Sequence, residues 1–446
     1  MARRRSRRQR LPQEAFDANV EGLSHEGRGI ARLEGKTVFL DNALPEETVR
    51  FRYSNRRSTF DEGYAEDIVH ASPLRVDPPC EFAQLCGGCS LQHMASDAQI
   101  QFKQEVLAEQ LAQFGGLRPE TWLEPLTGPT LGYRTKARLG VRYVRPKGTA
   151  LVGFREKRSN FLADMAHCEV LVPEVGKQLT ELRELINGLA GRERIPQIEV
   201  AADDTTVALI FRHMDPLSVE DFSALVAFCQ ARGWHCYLQP KGEDSVHRVW
   251  PETGPERLYF THPEFELTMA FHPKDFTQVN MAINQAMVPL AVELLDVQPH
   301  HRVLDLFCGL GNFTLPLATR SAHTVGVEVS QAMVERGYEN AKANGITNVS
   351  FHAWDLQQSV AGQSWAEQPF ERILIDPPRS GALEMMPLMP QFGAEKIVYV
   401  SCNPATLARD AGELCALGYK LSAAGVMDMF PHTSHVESIA LFERKS

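Results

Sequence analysis

Two hydrophobic rhythms divide this chain of 446 residues. In the region 19–71, apolar and polar positions alternate through the short segments 29–33, 36–40, 48–53 and 63–69, with Gly, Asn and Pro between them. A period of two turns one face of each segment inward, and several such strands so close together predict a small barrel. From 278 onward the pattern changes to short, nearly continuous apolar runs at 302–306, 324–329, 349–353, 372–375, 396–400, 420–427 and 436–442, separated by stretches of helical period. Strands buried on both faces read this way, so this half is expected to form a doubly wound α/β sheet with its site at the carboxyl ends of the strands.

The stretch between them is mixed. Ser96 and Gln99 form a capping box that opens a helix with Ile100, Leu107, Leu111 and Phe114 on one face, and Gly115 and Gly116 stop it. This helix reads as scaffold. Further helices are expected at 173–189 and 218–232, with strands at 197–200 and 206–211. The resulting division is a basic tail (1–14), a barrel (15–72), a central α+β domain (73–270) and a C-terminal α/β domain (271–446).

A hydrophobic content of 43% and a charged content of 23% are those of a soluble globular protein. No apolar run reaches the roughly 20 residues that span a bilayer, and no apolar segment follows the Arg-rich start, so a cytoplasmic protein without a membrane partner is expected. The net charge of −10 argues against a surface that coats nucleic acid everywhere. Locally the balance reverses: residues 1–60 carry 13 Lys/Arg against 8 Asp/Glu, led by Arg3, Arg4, Arg5, Arg7, Arg8 and Arg10. Such a tail is either a solvated terminus or an RNA arm. In 133–143, Arg134, Lys136, Arg138 and Arg142 share one strand face and Ala137, Leu139, Val141 and Tyr143 the other, a face suited to RNA phosphates.

Nine cysteines, an odd number in a large chain, make a disulfide framework improbable. Cys80, Cys86 and Cys89 lie in a loop with Gly87 and Gly88, where the backbone can curl its N–H groups towards sulfur and thiolates can converge on one metal centre. Cys168 is the best candidate for a fourth ligand, since it follows the next β-rich stretch. Zinc and an iron–sulfur cluster accept four thiolates equally well. Cys229 and Cys236 read as small buried hydrophobes.

The strand at 302–306 leads into Phe307, Gly309 and Gly311, where the backbone can turn tightly under a nucleotide-like ligand. A dinucleotide fingerprint needs a third glycine where this chain has Thr314, so NAD is disfavoured. Glu328, at the end of the second strand, is placed to accept from both hydroxyls of a ribose, and Asp355, after the third, to meet an adenine amino group. Together with Asp305 this pattern resembles the S-adenosylmethionine site of Rossmann-like methyltransferases. Methyltransferases acting on exocyclic amines typically carry an aromatic residue after the Pro-Pro pair that follows Asp376; here it is Arg379, so the acceptor is not expected to be an amine. Cys402 ends the fifth strand, where nearby N–H groups can favour a thiolate. A thiolate is what a ring carbon requires: C5 of uracil becomes nucleophilic once sulfur adds at C6, and a base must then remove the C5 proton. Glu437 is the candidate base, with His432 and His435 as rivals.

These motifs, Asp305 to Phe313, Asp376 to Arg379, Ser401 to Pro404 and Pro431 to Glu437, resemble the RNA uracil-C5 methyltransferase family over 271–446. The cysteine pattern is similar to the [4Fe–4S] ligands of its ribosomal RNA members, and the run 22–32 with Pro45 to Val49 resembles a TRAM domain, an OB-like RNA-binding barrel. The barrel either binds RNA, with Arg50, Arg52, Arg56 and Arg57 facing phosphates, or serves packing alone. The resemblance implies Cys402 as nucleophile, Glu437 as base and Gln278, Phe307, Asn312, Glu328, Asp355 and Asp376 as the S-adenosylmethionine site. It also implies Cys80, Cys86, Cys89 and Cys168 as ligands of a [4Fe–4S] cluster, a uridine of 23S ribosomal RNA flipped into the pocket, no DNA partner, and a monomer. A dual-site ribosomal enzyme, a transfer RNA enzyme and a noncatalytic iron–sulfur RNA-binding protein are the alternatives.

Overall fold

The computed structural model describes residues 11–445, so the expectations resting on Arg3 to Arg10 lie outside the described residues. The chain divides into two compact units.

The first unit holds the residues up to Gln99 together with Phe154–Ala163 and Pro431–Ser434. Its strands β1 (Phe16–Leu23), β2 (Gly29–Leu33), β3 (Lys36–Asp41), β4 (Thr48–Arg56) and β5 (Phe60–His70) close into a barrel in the order β1-β2-β3-β5-β4. Alternation drives it: Val20, Ala31, Val38, Leu40, Val49, Phe51 and Ala65 point inward and are buried. Gly63 permits the close approach of β4 and β5, since a Cβ there would lie 2.6 Å from the carbonyl oxygen of Arg52. The strand β1 adds to the segments expected from alternation, because Phe16 and Ala18 continue the pattern of Val20. Its arginines are not bare. Arg50 pairs with Asp17 (3.0 Å), Arg52 with Glu66 (2.8 Å), Arg56 with Asp61 (3.4 Å) and Arg57 with Glu62 (3.4 Å), acids that neighbouring strands supply.

In the second unit, β6 is the short Thr121–Trp122. A six-stranded sheet follows from β7 (Lys136–Val144), β8 (Thr149–Gly153), β9 (Gln197–Ala202), β10 (Val207–Arg212), β11 (His235–Gln239) and β12 (His247–Trp250), ordered β12-β11-β10-β9-β7-β8. The expected helix at 173–189 is two, Pro173–Gly176 and Leu179–Gly188. On β7, Leu139 and Val141 are buried while Arg138 and Arg142 are exposed, as a period of two requires. The basic face is partly engaged internally: Lys136 donates to the carbonyl oxygen of Asp275, and Arg138 lies 3.4 Å from Glu199. A hairpin, β13 (Leu258–His262) with β14 (Leu267–Phe271), leads to the α/β domain.

That domain is built on β15 (Arg302–Leu306), β16 (His323–Glu328), β17 (Val349–Ala353), β18 (Arg372–Ile375), β19 (Lys396–Ser401), β20 (Tyr419–Met427) and β21 (Glu437–Arg444). The sheet order is β17-β16-β15-β18-β19-β21-β20-β6, with β17 through β19 parallel and β21 antiparallel to both its neighbours. Ile373, Leu374 and Ile375 are fully buried, which accounts for an apolar run without alternation. The order reverses between β15 and β18, which puts the crevice at their carboxyl ends.

The helix Ser96–Gln110 forms where expected, but the Gln99 side chain bonds to Leu91, Met94 and His432 instead of closing a capping box, and the last apolar position fails. Residues Leu111–Gly115 widen into a π-turn and Phe114 is 63% exposed. The buried stripe instead carries Phe102, Lys103, Val106 and Leu107, and it is not mere scaffold.

Candidate active site

The β15 strand ends against a turn that only special residues tolerate. Phe307, Gly309 and Gly311 all have positive φ (65°, 54° and 95°). A Cβ on Gly309 would meet nothing within 4 Å, so this side of the turn is open to a ligand. Glu328 folds over the same turn, accepting from the N–H groups of Gly309 (3.2 Å) and Ser330 (2.9 Å), so its carboxylate is held still where a ribose is expected. Beneath the turn, Asp305 is completely buried, accepts from the Thr314 hydroxyl at 2.6 Å, and is pushed up to about 8 by burial.

Asn312 is fixed by two residues that sequence reasoning missed. Its amide exchanges hydrogen bonds with Asn284 (2.9 and 3.0 Å), and its Oδ1 lies 3.1 Å from His262 Nε2. Asn284 comes from the helix Met281–Leu295, and burial depresses His262 to about 4, so a neutral ring is what meets the amide. The signal in the sequence was faint: one buried asparagine in an apolar helix. Asn280 caps that helix, accepting from Ile283 N–H at 3.4 Å, and Gln278 stands half-buried two residues earlier. Asp355 spends its carboxylate on its own turn, accepting from Gln357 N–H (3.0 Å) and Gln358 Nε2 (3.2 Å).

The second group of residues is brought together by strand register. Because β19 and β21 are antiparallel with Ser401 opposite Ser438, the next position outward pairs Cys402 with Glu437. Asp376 follows the last residue of β18, whose Ile375 is opposite Tyr399 of β19. Three strands therefore deliver two carboxyls and one thiol to the same end of the sheet. Their charges act on one another. Glu437, 5% exposed, is pushed up to about 8 by burial and by Asp376, against the opposing pull of Arg379 and Lys103. Burial takes Asp376 up to about 7. Cys402 is half-buried, and burial, then Glu437 and Asp376, raise its thiol, with Arg379 opposing. A backbone N–H also opposes that rise, while the helix Pro404–Ala416 that begins just beyond Cys402 is capped by the side chain of Asn403 on Ala405 N–H (3.2 Å).

Arg379 rides on a loop tied to that helix. Its carbonyl oxygen accepts from Asn403 Nδ2 (2.9 Å) and Thr406 Oγ1 (3.3 Å), Ser380 O accepts from Arg409 (2.9 Å), and Ala382 N–H donates to Asp410 (2.8 Å). Of the rival bases, His435 is half-buried against Phe430 with ring centroids 5.6 Å apart. His432 belongs to the first unit, where its N–H donates to Gln99 Oε1 (2.8 Å) and its carbonyl oxygen accepts from Ser90 and Leu91 N–H (2.9 Å each).

The cysteine loop lies in the first unit. Cys80, Cys86 and Cys89 are all buried and near enough for their charges to interact, and Gly88 N–H donates to Cys86 Sγ at 3.4 Å. Burial pushes Cys89 up to about 11, while Lys157 opposes it. Cys168 is buried in the second unit. Among the described residues, no group of three or more His, Cys, Asp or Glu is arranged to hold a metal ion, so the expected four-cysteine set does not emerge as a formed site. No helix among the described residues is long and apolar enough to cross a membrane.

Comparison with known proteins places this geometry. A family model described as tRNA (Uracil-5-)-methyltransferase matches residues 256–445, and one described as TRAM domain matches residues 9–52. The chain is 66% identical over 438 residues to the 23S rRNA (uracil(1939)-C(5))-methyltransferase RlmD of Alcanivorax borkumensis, covering 98% of each chain. It is 54% identical over 442 residues to the protein of the same description from Hahella chejuensis, covering 98% of this chain and 99% of that one. The fold is similar to that of a Pyrococcus abyssi tRNA (uracil-54, C5)-methyltransferase solved with S-adenosyl-L-homocysteine, with a TM-score of 0.73, 23% identity, and 96% and 99% of the two chains covered.

Proposed function

The chain belongs to the RNA uracil-C5 methyltransferase family, and we propose that it methylates C5 of one uridine of 23S ribosomal RNA, the position 1939 named for its relatives, through a covalent Cys402 adduct. Choice of the ribosomal substrate rests on the two long, close relatives. The mechanism rests on one observation: the β19–β21 register pairs Ser401 with Ser438, and the residues that follow outward, Cys402 and Glu437, are near enough for their charges to interact.

S-adenosylmethionine supplies an electrophilic methyl group when bound. Gln278, Phe307, Asn312, Glu328, Asp355 and Asp376 would hold it, and the open turn at Gly309 beside the fixed Glu328 carboxylate supports that assignment. The target uridine must leave its stack for both ring faces to be reached. The half-buried Cys402 thiol loses its proton to water and the thiolate adds to C6, which moves electrons to C5 and makes it the nucleophile for the methyl group. Glu437 as carboxylate then takes the C5 proton, the ring electrons return and the C6–S bond breaks. Arg379, which opposes the rise of both Cys402 and Glu437, favours the charged forms these steps need.

Cys80, Cys86 and Cys89 would hold a [4Fe–4S] cluster of structural or RNA-contacting role; the three neighbouring buried thiols support this, and Cys168 as fourth ligand rests on the resemblance alone. The barrel would contribute RNA contact, and the cytoplasm is the expected compartment. The test is incubation of anaerobically purified protein with labelled S-adenosylmethionine and unmodified 23S ribosomal RNA beside transfer RNA. A single 5-methyluridine in the ribosomal RNA is expected; label in transfer RNA alone would overturn the substrate assignment.

A further inference from the structure

A lysine buried in an apolar helix face needs a reason. Lys103 is 0% exposed, on the same stripe as Phe102, Val106 and Leu107 of the helix Ser96–Gln110. Removing an ammonium group from water is expensive unless it is paired and hydrogen-bonded. Its Nζ finds both: it donates to Asp428 Oδ1 at 2.7 Å and to the carbonyl oxygen of Phe430 at 3.0 Å. Both acceptors belong to the connection that leaves β20 at Met427 and returns as β21 at Glu437, two residues that face each other in the β20–β21 register. The start of that connection is also pinned through Asp428 N–H to Leu126 O (2.8 Å).

We propose that Lys103 is a positioning residue for the proton-removal step: it fixes the connection that delivers Glu437 and supplies a buried positive charge beside it. This rests on the uracil-C5 reading above. Packing alone would be served by a methionine, which has the same reach and no desolvation penalty. The ionic form does what methionine cannot. The groups that act on Glu437 are Asp376 and Arg379 from the loop after β18, Lys103 from the helix, and the Cys402 thiol at the end of β19, while the Asp428 carboxylate paired with Lys103 offsets part of that lysine's charge. Of these only Arg379 and Lys103 favour the carboxylate, and Arg379 is exposed whereas Lys103 is not. Arg379 acts from the solvent side of the site, where water and salt screen it, and Lys103 acts from the buried side, where they do not.

The two halves of the reaction can be read separately. Full-length protein is given ribosomal RNA carrying tritium at uridine C5 and S-adenosylmethionine labelled in its methyl group, under single-turnover conditions over a range of pH. Methyl incorporation reports addition and transfer; tritium release reports loss of the C5 proton. Lys103→Met is expected to slow tritium release by about tenfold, the effect of about one pKa unit of lost carboxylate stabilisation. Methyl incorporation should change much less, so a denaturation-resistant protein–RNA adduct accumulates. The rising limb of tritium release with pH should move upward, because losing a cation leaves Glu437 harder to ionise. Lys103→Arg, which keeps the charge, should restore release. Lys103→Gln, which keeps a hydrogen-bond donor, should show the slowed release even where methionine disturbs folding. Methyl incorporation and tritium release that fall in step, or a pH limb that stays put in both uncharged variants, would overturn the proposal while leaving the reaction intact. A wild-type protein that neither transfers methyl nor releases tritium would overturn the uracil-C5 reading, and this proposal with it.

Discussion

Replacing Asp410 should loosen the loop that carries Asp376 and Arg379. Its side chain is 0% exposed and accepts from Tyr399 OH (2.7 Å), Ala382 N–H (2.8 Å) and Arg409 Nε (2.8 Å). Tyr399 and Ala382 are buried as well, so in Asp410→Ala neither donor can turn to water. Each stranded donor costs about 1–3 kcal/mol, which puts the loss for the two at about 4 kcal/mol. In Asp410→Asn the amide oxygen can keep both of those bonds. What is lost is the charge pairing with Arg409, whose side chain is 41% exposed, and solvent screening holds that loss to roughly 1 kcal/mol or less. Each 1.4 kcal/mol is a factor of about ten in an opening equilibrium. Hydrogen exchange in a peptide covering 376–385 should therefore quicken by about a hundredfold or more in Asp410→Ala and by less than about tenfold in Asp410→Asn. Equal acceleration in the two variants, or none in Asp410→Ala, would refute the assignment of Asp410 as the clamp.

Two further outcomes follow from the cofactor side. Glu328→Gln replaces the carboxylate fixed over the Gly309 turn and should weaken S-adenosylmethionine binding by about tenfold or more, measured by calorimetry without RNA; unchanged affinity would remove Glu328 from the site. Asp305 is held up to about 8 in the fold from an ordinary value of 3.8, so its protonated form favours folding. That contribution is fully present below the unfolded value and is lost as pH rises through about 8. Melting temperature should accordingly fall from acidic towards alkaline pH, and Asp305→Asn should flatten the fall without abolishing it, since Asp376 and Glu437 are raised in the same sense. An unchanged slope would contradict the buried, protonated Asp305.

Much of this was legible from pattern. Buried parallel strands leave continuous apolar runs, and the C-terminal strands fall within a residue or two of where those runs predict them. The placement of candidate residues at strand ends was legible too, because Phe307, Asp376, Cys402 and Glu437 all border such runs. What could not be read is which side chains stand beside each other. The His262–Asn312–Asn284 contact joins a hairpin, a turn and a helix, and no local spacing encodes it. Lys103 did leave a trace, an ammonium on an apolar stripe, yet its partner Asp428 lies 325 positions away. Nor does exposure of a basic residue disclose its neighbours. The barrel arginines were legible as a basic set, but the cross-strand acids that pair with them were not.

The central claim is that Cys402 forms the covalent bond and Glu437 releases it. Ribosomal RNA carrying 5-fluorouridine at the target position has no C5 proton for Glu437 to take, so turnover should stop at the adduct. With S-adenosylmethionine present, the wild-type protein should yield one denaturation-resistant protein–RNA complex, mapped by mass spectrometry to Cys402, and Cys402→Ala should yield none. A complex that forms in Cys402→Ala, or a bond mapped to another residue, would contradict the account.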